Sequence, residues 1–145
     1  MNSAIAEQLP TTHLMLSTKL VYELGDPNST LRATADRSGP AVLIYAGGEV
    51  DACNEHTWRH LVSEAASVVT APGPFVVDVT GLEFMGCCAF AALAEEAKRC
   101  QQRGIDLRLV SCEPIVARVV DACGLSGVLP TYPTVDSALS AAARW

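Results

Sequence analysis

The sequence predicts an α/β domain: a mixed, mostly parallel β-sheet of four to six strands with about four α-helices. Two observations predict it. Short apolar, β-branched runs such as 41–46 (AVLIYA) and 75–80 (FVVDVT) alternate with longer segments whose apolar residues recur at helical spacing. Gly and Pro turn signals separate most of these segments. Alternation of this length implies parallel βαβ units with right-handed crossovers, and an early hairpin adds an antiparallel element.

Residues 1–18 mix Ala, Gln, Pro, Thr and Ser without a period. They read as a flexible N-terminal arm, leaving 19–145 as a single domain. Residues 19–24 read as a short strand and 30–34 as an edge strand, with turns at Gly25-Asp26-Pro27-Asn28 and Arg37-Ser38-Gly39-Pro40. Strand 41–46 is closed by Gly47-Gly48. Asp51 stands where a carboxylate caps the free amides of a following helix. In that helix Trp58, Leu61, Val62, Ala65 and Val69 share one face, and Ala71-Pro72-Gly73-Pro74 stops it. Strand 75–80 has the uniform apolar character of an interior strand.

The next helix, 88–102, carries Ala89, Leu93, Ala97 and Cys100 on one face. It places Glu95 four residues before Arg99, the favourable order for an ion pair, and ends at Gly104. Residues 106–110 form a strand. Pro114 suits the first turn of a helix with an apolar stripe of Ile115, Val116, Val119, Val120 and Cys123. Residues 127–129 read as a last short strand. Thr134 caps a final helix with Val135, Ala138, Leu139 and Ala142 inward.

Half of the 145 residues are apolar, 18% are charged and the net charge is −6. That composition belongs to a folded domain with a real core rather than a disordered chain. An acidic balance with no block of Lys or Arg argues against nucleic acid as partner. The apolar runs are too short to span a membrane, and the N-terminus shows no secretory signal pattern. The six cysteines include no C-x-x-C pair. Reduced thiols in a cytoplasmic protein are the expectation, and no metal centre or cofactor is expected. Cys53, His56 and His60 have zinc-like spacing but no evident fourth ligand.

The segment Phe84-Met85-Gly86-Cys87-Cys88-Ala89 sets two adjacent thiols where a strand ends and a helix begins. Helix starts offer free N–H groups and the positive end of a dipole, which lower a thiol pKa. Cys53, Cys87, Cys88 and Cys112 each follow a predicted strand and map to one edge of the sheet. Cys100 and Cys123 fall on apolar stripes and read as buried hydrophobes. Asp78, on an interior strand, reads as a carboxylate that orients loop amides.

Four segments in order resemble the STAS domain of bacterial anti-sigma factor antagonists. They are Gly48-Glu49-Val50-Asp51, the run 75–82, Phe84-Met85-Gly86-Cys87-Cys88-Ala89 and Asp121-Ala122-Cys123-Gly124-Leu125. The resemblance covers roughly residues 31–143. It implies a STAS-like fold and a partner, an anti-sigma factor that is also a serine kinase. Binding that partner frees a sigma factor for transcription. In such domains the kinase phosphorylates the second hydroxyl residue of the third motif, and the complex dissociates. Here Gly86 stands at the family's Asp, Cys87 at its first Ser, Cys88 at the phosphoacceptor and Ala89 at its Gly. A thiol does not accept phosphate from such a kinase, so no phosphorylation is expected at Cys88. Ser111 and Ser126 remain as acceptors without special support.

The resemblance makes Glu49, Asp51, Gly86, Cys87, Cys88 and Ala89 the expected partner contacts, in a binding protein rather than an enzyme, with no small-molecule substrate. Two readings of the thiols stay open. Oxidation of Cys87 or Cys88, with Cys112 or Cys53 as second thiol, replaces phosphorylation as the off switch; or the cysteines are merely small side chains. The alternatives to a binder are a thiol enzyme or peroxide sensor using Cys87 or Cys88, and a STAS scaffold in a stress-signalling assembly. The first lacks an activating His or Arg nearby in sequence.

Overall fold

The computed structural model describes residues 11–142. In chain order the elements are β1 (Thr11–His13), α1 (Thr18–Leu24), β2 (Leu31–Ser38), β3 (Ala41–Val50), α2 (Glu55–Ser67), β4 (Pro74–Met85), α3 (Cys87–Gln102), β5 (Asp106–Val110), α4 (Pro114–Ala122), β6 (Thr131–Tyr132) and α5 (Val135–Ser140). The strands make one sheet in the order β1-β2-β3-β4-β5-β6. β1–β2 and β2–β3 are antiparallel, and every later neighbour pair is parallel. This is the mixed, mostly parallel sheet that the sequence predicts.

The core follows from strand alternation. Val42, Ile44, Phe75, Val77, Leu107 and Leu109 point to one face and pack against Trp58, Leu61, Leu93 and Ala97 of α2 and α3. Ala41, Leu43, Val76 and Val110 point to the other face and meet Ala138 of α5. The sheet is therefore fully covered on one side and covered only in part on the other. On the open part stands Tyr45, 37% exposed. Partial burial and the charges of Asp36, Asp78 and Asp136 push its phenol pKa up.

Several expectations change in the fold. Residues 19–24 form a helix, not a strand: the Ser17 hydroxyl accepts from the Leu20 N–H, and Leu20 is wholly buried. The arm expected over 1–18 contains β1, and the Ser17 N–H donates to Glu64 at 2.6 Å. Residues 1–10 and 143–145 lie outside the described residues, so the rest of that boundary is an expectation only. The strand expected at 127–129 is a turn, and β6 comes two residues later, at Thr131–Tyr132. Cys123 is exposed rather than buried, because α4 buries only Val120 fully. Arg99 pairs with Glu96 at 2.8 Å, and Glu95 instead reaches across to Arg59 of α2 at 2.9 Å. Cys100 is buried as expected.

One buried ion pair ties the last helix down. The Arg108 guanidinium on β5 donates to Asp106 at 3.0 Å and to the carbonyls of Ala138 at 2.6 Å and Ala142 at 3.2 Å. It thereby satisfies the Ala138 carbonyl in the last turn of α5 and the Ala142 carbonyl just beyond the helix. Thr134 and Ser137 close the other end in a reciprocal capping box.

Candidate functional site

β3 and β4 run side by side past the other strands and end together, with Val50 paired to Met85. The chain then turns into α2 on one strand and α3 on the other. The Gly86 N–H donates to the Val50 carbonyl at 2.9 Å, which locks the two ends to each other. Glycine is required at Gly48, where φ is +87° and a Cβ would stand 1.9 Å from the Thr30 carbonyl oxygen.

Asn54 organises the loop from β3 into α2. Its side-chain carbonyl accepts from the Asp51 N–H at 3.0 Å, and its NH₂ donates to the Glu49 carbonyl at 2.9 Å and Thr30 Oγ1 at 3.2 Å. Asp51 is not the helix cap that the sequence suggested. Its carboxylate accepts from the Cys53 N–H at 2.9 Å, two residues on, and Asn54 occupies the capping position without a side-chain cap bond. Asn54 was missed, though an Asn immediately before the first helical residue is a recognised start signal.

Gly86 is the N-cap of α3. Its φ of −73° is ordinary, and a Cβ there would meet Phe84, Val50 and Cys88 no closer than 3.4 Å. Space and backbone therefore admit a side chain at the position where the STAS motif has Asp. Cys87 is exposed and Cys88 half-buried. Ala89 is fully buried, which removes its side chain from any contact surface; its carbonyl accepts from Trp58 Nε1 at 3.2 Å. That bond fixes the start of α3 against α2. Glu49, Asp51 and Gly86 are half-buried around the same rim.

The thiols do not behave as the helix start alone implies. N–H groups of Cys88 and Ala89 favour the Cys88 thiolate, but burial outweighs them, and Glu55 and Asp51 add to it, so the Cys88 pKa is raised. Register also separates the four edge thiols. β5 pairs with β4 only as far as Asp78–Val110. β4 continues through residues 79–85, past the point where its pairing with β5 stops, and Cys112 follows β5 two residues beyond Val110. A disulfide needs Cα atoms within roughly 7 Å. Cys53, three residues beyond Val50, lies at the same end as Cys87 and Cys88. All six cysteines are free thiols.

His56 lies 3.7 Å from Glu23 and His60 lies 3.4 Å from Glu64. Among the described residues no group of three or more His, Cys, Asp or Glu is arranged to hold a metal ion, and no helix is long and apolar enough to cross a membrane. The Asp78 carboxylate accepts from the Thr80 N–H at 2.9 Å; Thr80 lies within β4, so the amide that it orients belongs to the strand and not to a loop.

The STAS domain model matches residues 32–138, most of the chain. The chain belongs to the STAS domain family. A Mycobacterium tuberculosis protein provisionally named anti-anti-sigma factor Rv2638 is 73% identical over 124 residues, covering 86% of this chain and 84% of that one. Anti-sigma-F factor antagonist RsfA of the same species is 56% identical over 114 residues, covering 79% of this chain and 89% of that one. Among solved structures, an anti-sigma factor antagonist from Mycobacterium paratuberculosis superposes with a TM-score of 0.68 at 22% identity, over 81% of this chain and 97% of that one. That likeness shows that the STAS fold is shared.

Proposed function

We propose that this STAS domain is an anti-sigma factor antagonist. It docks on an anti-sigma factor of the serine-kinase type through the rim where β3 and β4 end, and so frees a sigma factor in the cytoplasm. The observation that carries the reading is the accessible Gly86-Cys87-Cys88 turn opening α3, in a chain 56% identical to an anti-sigma-F factor antagonist. Glu49, Asp51, Gly86, Cys87 and Cys88 are the contact residues. Ala89 acts from below, through its bond to Trp58. Two carboxylates, Asp51 and Glu55, act on the Cys88 thiol, Glu55 while paired with Arg59 at 2.8 Å, and they favour a basic partner surface.

Control by phosphate does not fit Cys88, which has no hydroxyl. Control by oxidation fits the placement of Cys53, Cys87 and Cys88 at one end of the sheet. Two thiols and a peroxide give one disulfide and two waters, the peroxide taking both electrons and both thiol hydrogens. Cys87 is exposed and meets the oxidant first; Cys53, at the same end of the sheet, is the second thiol. Titration of purified anti-sigma-F factor with reduced and with peroxide-treated protein tests both parts. The expected result is a stoichiometric complex without turnover when reduced, weakened when oxidised, and insensitive to peroxide in Cys53→Ser. No complex in either state defeats the binding role. A complex of equal affinity in both states defeats the switch and leaves the binding role standing.

A further inference from the structure

The same extension of β4 past β5 creates a second feature. Beyond Asp78 the strand stays paired with β3 on one side, through Gly81, Leu82, Phe84 and Met85 with two register shifts, while among the described residues no strand lies beside its other edge. Among the described residues no backbone hydrogen bond joins that edge to α4 or to the loop after β5. Between this edge and α4 lies a groove of about 440 Å³, walled by Leu82, Phe84 and Met85 on one side and by Ile115, Val116 and Val119 on the other. Phe84 and Ile115 are 54% and 57% exposed. Glu83 and Glu113 stand at the groove, and none of its lining residues is Lys or Arg.

We propose that this groove binds an extended segment of a protein partner, apolar at alternate residues and flanked by Lys or Arg, which adds to β4 as a parallel or antiparallel strand. The unpaired edge supplies backbone donors and acceptors that an incoming strand satisfies. The apolar walls take every second side chain, as the two-residue period of a strand requires. The two carboxylates select basic flanks over acidic ones. This surface goes beyond the anti-sigma contact at Cys87 and does not depend on it.

The probe is a synthetic ten-residue peptide of alternating Val and Thr with two Lys at each end, titrated into the ¹⁵N-labelled full chain. The expected result is amide shifts and slowed hydrogen exchange at residues 79–85, with binding weakened about tenfold by Ile115→Glu, the loss of one anchoring contact. Glu83→Lys is expected to weaken it in the same direction, and both positions are exposed enough that folding is retained. N-methylation of alternate peptide amides is expected to abolish binding in one register and spare it in the other. Equal binding by the same peptide with Asp in place of Lys overturns the charge selection. Shifts confined to α4, without protection of β4 amides, overturn strand addition in favour of a side-chain pocket. Protection of β4 that rises with protein concentration alone, without peptide, assigns the edge to a second copy of the chain and overturns the proposal.

Discussion

Burial, with Glu55 and Asp51 adding to it, pushes the Cys88 thiol pKa up although the residue opens a helix. In the folded chain Cys88 is expected to react with iodoacetamide more slowly than exposed Cys87, with its midpoint above the ordinary thiol range; mass spectrometry of partly alkylated protein across pH measures both. Cys100 is the stronger case, since burial beside Glu96 pushes its thiol up to about 12. An unfolded chain ionises that thiol near 9 and the folded one does not, so stability is unaffected below pH 9 and declines as pH rises from there towards 12. Urea midpoints of wild type and Cys100→Ala at pH 8 and pH 10.5 should show a steeper decline in wild type. At Gly86, substitution by Asp is expected to be tolerated and to gain a few tenths of a kcal/mol from a better N-cap. Little of this was legible in the sequence. The thiols' position at a helix start was readable, but the groups that oppose ionisation, Asp51 and Glu55, arrive from another element.

The rim is built by elements that hold one another. Trp58 reaches from α2 to the first turn of α3 and bonds the Ala89 carbonyl. Trp58→Phe keeps an aromatic ring there and is expected to cost about 2 kcal/mol through lost volume and a lost hydrogen bond, read from chemical denaturation. Gly48→Ala is expected to cost more than the roughly 1–2 kcal/mol of left-handed backbone alone, because the added Cβ also collides with Thr30. At this scale the sequence was readable wherever burial and local pattern agree. The faces of α2 and α3 and the strand Asp106–Val110 are as their spacing predicts. It was misleading where a segment is short or half-exposed. The run 19–24 carries only two turns of helix, too few to show a period. Cys123 looks like a stripe residue, but α4 has only one side of its stripe against the core. Residues 81–85, with Gly81 and Glu83, give no strand signal, yet they pair with β3 and set the reach of the whole site.

At the scale of the molecule, the sheet is a platform with one face closed by α2 and α3 and one end extended into the rim. Arg108 fastens the last helix to that platform from inside. Arg108→Leu is expected to cost about 3 kcal/mol, since it removes the counter-charge of buried Asp106, and to raise hydrogen exchange in α5 before the rest of the domain. Arg108 is in register with Val76, nine residues before β4 ends at Met85, so binding at the rim should survive the substitution under conditions where the domain stays folded. The STAS motifs were legible in order along the chain because each marks a turn that the fold needs. Their chemistry was not: only the register of β3, β4 and β5 shows which thiols share an end. Hydrogen–deuterium exchange of the reduced chain alone and in complex with purified anti-sigma-F factor tests the docking face most directly. The account predicts new protection at the amides of Cys87, Cys88 and the loop from Glu49 to Asn54. Protection confined to the open sheet face around Tyr45, with none at the start of α3, would contradict it.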